Sequence, residues 1–141
     1  MNKVVCLIGL ITSLLYSCHQ DIKGSRQHIL KVTSEINKDA LLHQDQHSGD
    51  WLTYGLNYAE NRYSQLEQIN KDNIKTLGLS WTLDLGTKRG LEATPIVVDG
   101  IMYISGDWSR VYAIDVRKGS MIWQYDPQVP RKYGEKACCD V

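Results

Sequence analysis

Five short apolar runs rich in β-branched residues follow one another in the second half of the chain. They are Leu79 to Leu83, Pro95 to Val98, Ile101 to Ser105, Arg110 to Ile114 and Met121 to Tyr125. Asp99-Gly100 stands alone between two such runs, and a two-residue connection of this type predicts a tight hairpin. Gly106-Asp107 and Lys118-Gly119 mark the next turns. Short strands joined by tight turns predict an antiparallel, all-β architecture. Upstream the pattern is weaker. Thr33 is placed to N-cap a short helix from about Ser34 to His43, with Ile36, Ala40 and Leu41 on one side. Residues 18–32 are polar and aperiodic and read as a flexible tether. Asp50 to Leu66 alternates aromatic and polar residues without a clean period, and Asn70-Lys71-Asp72-Asn73 is a turn or cap cluster.

The strand pattern carries a repeat. Trp81 and Trp123 are 42 residues apart, and so are Asp84 and Asp126. A period of roughly 40–50 residues with four strands per unit is the signature of a β-propeller. The runs number one more than a four-stranded blade holds. Pro95 to Tyr125 is therefore expected to form one whole blade, and Leu79 to Leu83 the outer strand of another, because in closed propellers an N-terminal strand often completes the last blade.

Composition removes several function classes. The 16 basic residues balance the 16 acidic ones, so no excess charge points to nucleic acid. No Gly-rich fingerprint follows a strand, so nucleotide chemistry is unsupported. No Cys-x-x-Cys suggests zinc or haem. His43 and His47 are spaced i,i+4, but Ser48-Gly49 ends any helix there, and both read as solvated. The N-terminus has the layout of an export signal over residues 1–17: Lys3, then the uncharged run Val4 to Leu15. That run is too short to span a bilayer, which takes about 20 residues. Leu15-Tyr16-Ser17-Cys18 resembles the lipobox of bacterial lipoproteins, apart from Tyr16, and makes Cys18 the expected lipidated N-terminus. The other reading is an ordinary signal cut near Ser17 with Cys18 incidental. Either way the chain is expected to be exported to the periplasm.

Export isolates two cysteines. Cys6 lies in the signal and Cys18 at its end, so the mature domain keeps only Cys138 and Cys139. Adjacent Cα atoms sit about 3.8 Å apart across a trans peptide, whereas disulfides favour about 4.4–6.8 Å. A bond between neighbours must close a strained eight-membered ring. In an oxidising compartment these residues either pair or remain two thiols.

Ala113-x-Asp115-x-x-x-Gly119 followed by Trp123 resembles the tryptophan-docking motif of quinoprotein dehydrogenases, with Lys118 and Ser120 replacing the usual Thr and Lys. Asp50-Trp51-Leu52-Thr53-Tyr54-Gly55, Asn61-Arg62-Tyr63-Ser64, Gln68-Ile69-Asn70, Gly90-Leu91-Glu92-Ala93-Thr94-Pro95, Asp126-Pro127 and Ala137-Cys138-Cys139-Asp140-Val141 extend the likeness. From about Val32 to its last residue the chain is similar to the N-terminal part of the pyrroloquinoline quinone (PQQ)-dependent alcohol dehydrogenases.

The resemblance implies the start of an eight-bladed β-propeller within residues 33–141: about one four-stranded blade plus a closing strand, after a short helix. It implies an oxidoreductase that converts alcohols to aldehydes by hydride transfer to PQQ, with calcium as the metal. Electrons would pass to a cytochrome c or to membrane quinone. Glu92 would contact PQQ, a Cys138–Cys139 disulfide would form a platform over one ring face, and Trp123 would pack between blades. The family's calcium ligands and its catalytic aspartate have no counterpart in these residues, so this piece alone is expected to be inactive and marginally folded. A different class also carries this repeat: lipoprotein propellers that scaffold outer-membrane β-barrel assembly without catalysis. The Gly-Leu-Glu-Ala-Thr-Pro stretch and the cysteine pair weigh against it.

Overall fold

The structure, a computed structural model, describes residues 24–136; the signal segment, Cys18, Cys138 and Cys139 lie outside the described residues. Its centre is a four-stranded antiparallel meander in the order β1 (Ile96–Val98), β2 (Ile101–Ser105), β3 (Val111–Asp115) and β4 (Ser120–Tyr125). The strands fall where the apolar runs predict them. Asp99 and Gly100 both take positive φ, 44° and 77°, and close β1 onto β2 with Val98 opposite Ile101. That mirror-image turn follows the right-handed twist of the flanking strands. The β3–β4 connection turns at Gly119 (φ 65°), whose N–H donates to the Asp115 carbonyl at 2.8 Å. A register shift between Ala113 and Ile114 sets Ile122 as the extra residue in β4.

The sheet buries Ile101, Tyr112, Ala113 and Ile114. A second apolar cluster joins Val32, Ala40, Leu52 and Val98, with Ile36, Leu41 and Tyr103 against it. This cluster fixes the N-terminal helices on β1. Here the structure corrects the sequence reading. Helix α1 spans Arg26–Glu35, replacing the end of the expected 18–32 tether and running past it, and Thr33 is not its cap. Ser25 is the cap, accepting from the His28 N–H at 3.1 Å, and the Thr33 hydroxyl donates back to the Ile29 carbonyl at 2.8 Å. The chain breaks at Ile36, and Asn37 caps a second helix, α2 (Lys38–Leu42), by accepting from Asp39 and Ala40. The buried positions of α1 are His28 and Val32, an i,i+4 pair with one polar member, so hydropathy alone conceals the stripe. Buried Gln44 then clamps the following loop: its amide donates to the His47 and Asp50 carbonyls and its oxygen accepts from the Leu52 N–H. Trp51 makes an isolated antiparallel bridge to Val97 at the free edge of β1. His43 is exposed and pairs with Asp39.

Leu79–Leu83, expected as an outer strand, forms no strand and pairs with none among the described residues, because the sheet partner expected of it belongs to another blade. Trp81 nevertheless docks on the blade. Its indole N–H donates to the Val116 carbonyl at 2.7 Å, and its ring lies where a Cβ on Gly119 would be, the nearest ring atom 2.4 Å from that position. The tryptophan thus seats on the Ala113–Gly119 turn from outside the sheet, as expected of a residue belonging to another blade.

Asp115 organises that turn. One carboxylate oxygen accepts from the Arg117 backbone N–H at 3.0 Å and its Nε at 3.1 Å; the other takes Arg117 Nη2 at 2.8 Å. The guanidinium holds the carboxyl down at about 2, against the burial that raises it. A carboxyl lowered from its usual value near 4 contributes stability that is complete above about pH 4 and lost as pH falls through about 2. The stability difference between wild type and Arg117→Met is expected to be largest above that window and to shrink across it. Thermal unfolding measured at several acid pH values checks this; a difference that does not change with pH would remove Arg117 as the cause.

Candidate functional site

An antiparallel meander sends its connections alternately to two ends. One end of this sheet carries Asp99-Gly100 and the Val116–Gly119 turn, with α1 and Trp81 beside them. The other end gathers three segments: the loop entering β1, the β2–β3 turn Gly106–Arg110, and the chain leaving β4 at Asp126. Glu92 lies in the first of these. The third runs through a 3-10 turn, Arg131–Lys136, which ends two positions before Cys138 in the sequence. The fold therefore brings the Glu92 loop and the segment that leads to the cysteine pair to the same end of the blade.

The β2–β3 turn ties them together. Buried Asp107 accepts the Thr87 hydroxyl at 2.7 Å on one carboxylate oxygen and Arg110 Nη1 at 3.3 Å on the other. Leu91, the neighbour of Glu92, packs at Gly106, with a methyl 3.4 Å from where a Cβ would stand. The Arg89 guanidinium lies 5.5 Å from the Trp108 ring centre. On the exit side, Arg110 Nε donates to Asp126 at 3.1 Å. The Trp108 ring meets Gly134, 2.9 Å from an ideal Cβ. Asp126 is held below the usual carboxylate range by the Gln128 N–H and then by Arg110, and Arg110 is raised mainly by the same pair.

The Glu92 carboxylate is exposed and makes no hydrogen bond or ion pair with another described residue. Two hollows of about 360 and 380 Å³ flank Trp108, Arg110 and Arg131. A smaller one, about 180 Å³, lies between Trp51, Leu56, Tyr63 and Val97 and shares none of these residues. Arg110 and Arg131 line both hollows, so an anionic group seated there would meet cations. Among the described residues no cluster of three or more His, Cys, Asp or Glu could hold a metal.

Of the residues expected from sequence, Ala113, Asp115 and Gly119 form the docking turn, but its occupant is Trp81. Trp123, the fourth member of the motif, is partly exposed and tilts against Tyr103, ring centres 6.0 Å apart. The Thr87–Asp107–Arg110–Asp126 chain and Trp108 belong to no sequence motif and emerge only in three dimensions. The one hint of Trp108 in the sequence is its place in a two-strand turn where Gly or Asn is usual.

Residues 51–140 match the family described as PQQ glucose/ethanol/alcohol dehydrogenase, β-propeller domain. A quinohemoprotein alcohol dehydrogenase of Comamonas testosteroni is 61% identical over 118 residues, which cover 84% of this chain and 17% of that protein. A 1-butanol dehydrogenase (cytochrome c) of Thauera butanivorans is 58% identical over 93 residues, covering 66% of this chain and 14% of the other. The crystal structure of the Comamonas testosteroni quinohemoprotein alcohol dehydrogenase superposes with a TM-score of 0.73 at 51% identity, covering 79% of this chain and 17% of that one. A europium-containing methanol dehydrogenase superposes at 0.64 with 37% identity, over 74% of this chain and 19% of that one.

Proposed function

This chain belongs to the β-propeller family of the PQQ-dependent glucose, ethanol and alcohol dehydrogenases, and from that premise we propose that it is the N-terminal portion of an exported enzyme oxidising alcohols to aldehydes. It spans only 14–17% of the relatives' length, so the activity is assigned to the whole protein and this portion is inactive alone. The single observation that carries the reading is the convergence of the Glu92 loop and the segment leading to Cys138-Cys139 on one end of the blade, through the Gly106–Arg110 turn.

PQQ, when bound, supplies a quinone that takes up the electrons of the alcohol. This chain's residues position it. Glu92 offers an acceptor oxygen to the cofactor's polar edge. The arginines at the same end offset the negative charge gathered there. Cys138 and Cys139, joined as a disulfide in the oxidising periplasm, present a rigid surface to one ring face. The metal ligands and the proton-accepting base lie in other parts of the enzyme, and a cytochrome c or membrane quinone removes the electrons.

The test uses the full-length protein, supplied with PQQ and calcium, and follows alcohol-dependent dye reduction. No PQQ uptake and no turnover with any primary alcohol would sink the proposal. Within that assay Glu92→Ala is expected to weaken PQQ binding by about 10- to 100-fold, the worth of one hydrogen bond to a charged group. Unchanged binding would remove Glu92 from the site and leave the family assignment intact.

A further inference from the structure

Trp108 occupies a conformation that its side chain disfavours. The β2–β3 turn is closed by the Arg110 N–H donating to the Asp107 carbonyl at 3.2 Å, and both central residues have positive φ, Trp108 at 54° and Ser109 at 57°. Turns of this hand favour Asn-Gly. A bulky residue with positive φ, such as Trp108, is a genuine outlier and strains the turn. Such strain persists where the surroundings over-determine it, and here they do. Asp107 is locked by Thr87 and Arg110, Arg89 lies over the indole, and Gly134 gives the ring a surface with no side chain in the way. Gly134 sits four residues before Cys138 in the turn that leads to it.

We infer that Trp108 is a positioning residue for the cofactor platform: the strained turn holds its indole as the buttress on which the Arg131–Lys136 turn rests, and this contact sets the course of the chain into Cys138-Cys139. The inference rests on the reading of that pair as the platform. A relaxed Asn-Gly turn would join β2 and β3 at lower cost, but it would remove the ring that Gly134 meets and Arg89 approaches. Supporting contacts of this kind hold a site within tolerance without touching the ligand.

Three variants of the full-length, PQQ-loaded protein test it: Trp108→Ala, Trp108→Phe and Gly134→Val. Two readouts are followed besides thermal stability. One is the PQQ dissociation constant. The other is the rate at which dithiothreitol, itself oxidised to its cyclic disulfide, converts the cysteine pair to two titratable thiols. Trp108→Ala is expected to weaken PQQ binding and to speed reduction, each by about tenfold, the usual scale for a residue that orients a ligating group. Trp108→Phe, which keeps a flat ring, is expected to restore most of both. Gly134→Val, which puts side-chain atoms where the indole lies, is expected to reproduce the alanine variant and decides the matter if that variant does not fold. Lowered stability with unchanged affinity and reduction rate would make Trp108 merely structural and overturn the inference. Two free thiols in the untreated wild-type protein would overturn the platform reading instead.

Discussion

Gly119→Ala is expected to lower the stability of the full-length protein by about 3 kcal/mol, a large loss for one methyl group. Two causes contribute and can be separated. The backbone is left-handed at φ 65°, which costs an alanine about 1 kcal/mol. The added Cβ also falls among the Trp81 ring atoms, the nearest only 2.4 Å away, so the indole must move. Displacement of the ring loosens its 2.7 Å hydrogen bond to the Val116 carbonyl, and overpacking of this kind costs about 1–3 kcal/mol. In a Trp81→Ala background only the backbone cause remains, so the same substitution should then cost about 1 kcal/mol. Denaturant midpoints for the four members of this cycle provide the measurement. Additive effects would show that Trp81 does not dock on Gly119 in the complete protein.

That contact also explains why the repeat was visible. A tryptophan recurring after 42 residues has a physical partner in the turn that carries Gly119. Trp81 fills the place made by the Ala113–Gly119 turn. The Asp99-Gly100 and Lys118-Gly119 turns were legible for a related reason: positive φ selects Gly and Asp strongly enough to leave a mark in a single sequence. Helix α1 left no such mark. Its docking face pairs apolar Val32 with a buried histidine, His28, whose ring lies 3.2 Å from the Asp99 carboxylate. A polar residue on the inner stripe defeats a hydropathy pattern, and Thr33, a good cap in isolation, lies mid-helix with its hydroxyl turned back to Ile29. The stretch 61–80, irregular apart from a 3-10 turn at Ile74–Thr76 and exposed at Tyr63, Leu66, Ile69 and Leu77, shows the same limit: its apolar residues find no cover among the described residues.

The candidate site divides in the same way. The cysteine pair stands out because adjacent cysteines are unusual, whereas Glu92 is singled out only by the resemblance of Gly90 to Pro95 to the family's stretch. The residues that bring their segments together do not stand out. Asp107, Arg110 and Asp126 are ordinary charged residues around a turn, and only three-dimensional placement makes them a chain of ion pairs from the β2–β3 turn to the end of β4. Trp108 has no propensity for the conformation it adopts. Its role comes from tertiary contacts that override local preference, and local preference is all that a single sequence displays.

The largest functional loss is expected from Cys139→Ser. On the proposed reading, alcohol oxidation by the full-length PQQ-loaded protein falls about a hundredfold, the scale at which a displacement near 1 Å at a reacting group acts. The argument is stereochemical. Residues joined only by a peptide bond are bridged only when that peptide is distorted, so the closed ring is rigid and its orientation is set by the chain on either side. Opening it leaves a serine, a free Cys138 thiol and two side chains able to rotate, and the flat surface under the quinone is gone. Because the bond is the functional unit, Cys138→Ser and the double variant should lose as much as the single change and no more. Reduction of the wild-type protein should give the same loss, and reoxidation should recover it. This loss should also exceed that of Glu92→Ala, which removes one hydrogen bond from a cofactor still resting on its platform. Turnover, PQQ affinity and thiol titration on the same samples separate the outcomes. A Cys139→Ser enzyme with wild-type turnover, or single and double variants whose losses multiply, would show that the adjacent cysteines act separately and form no platform.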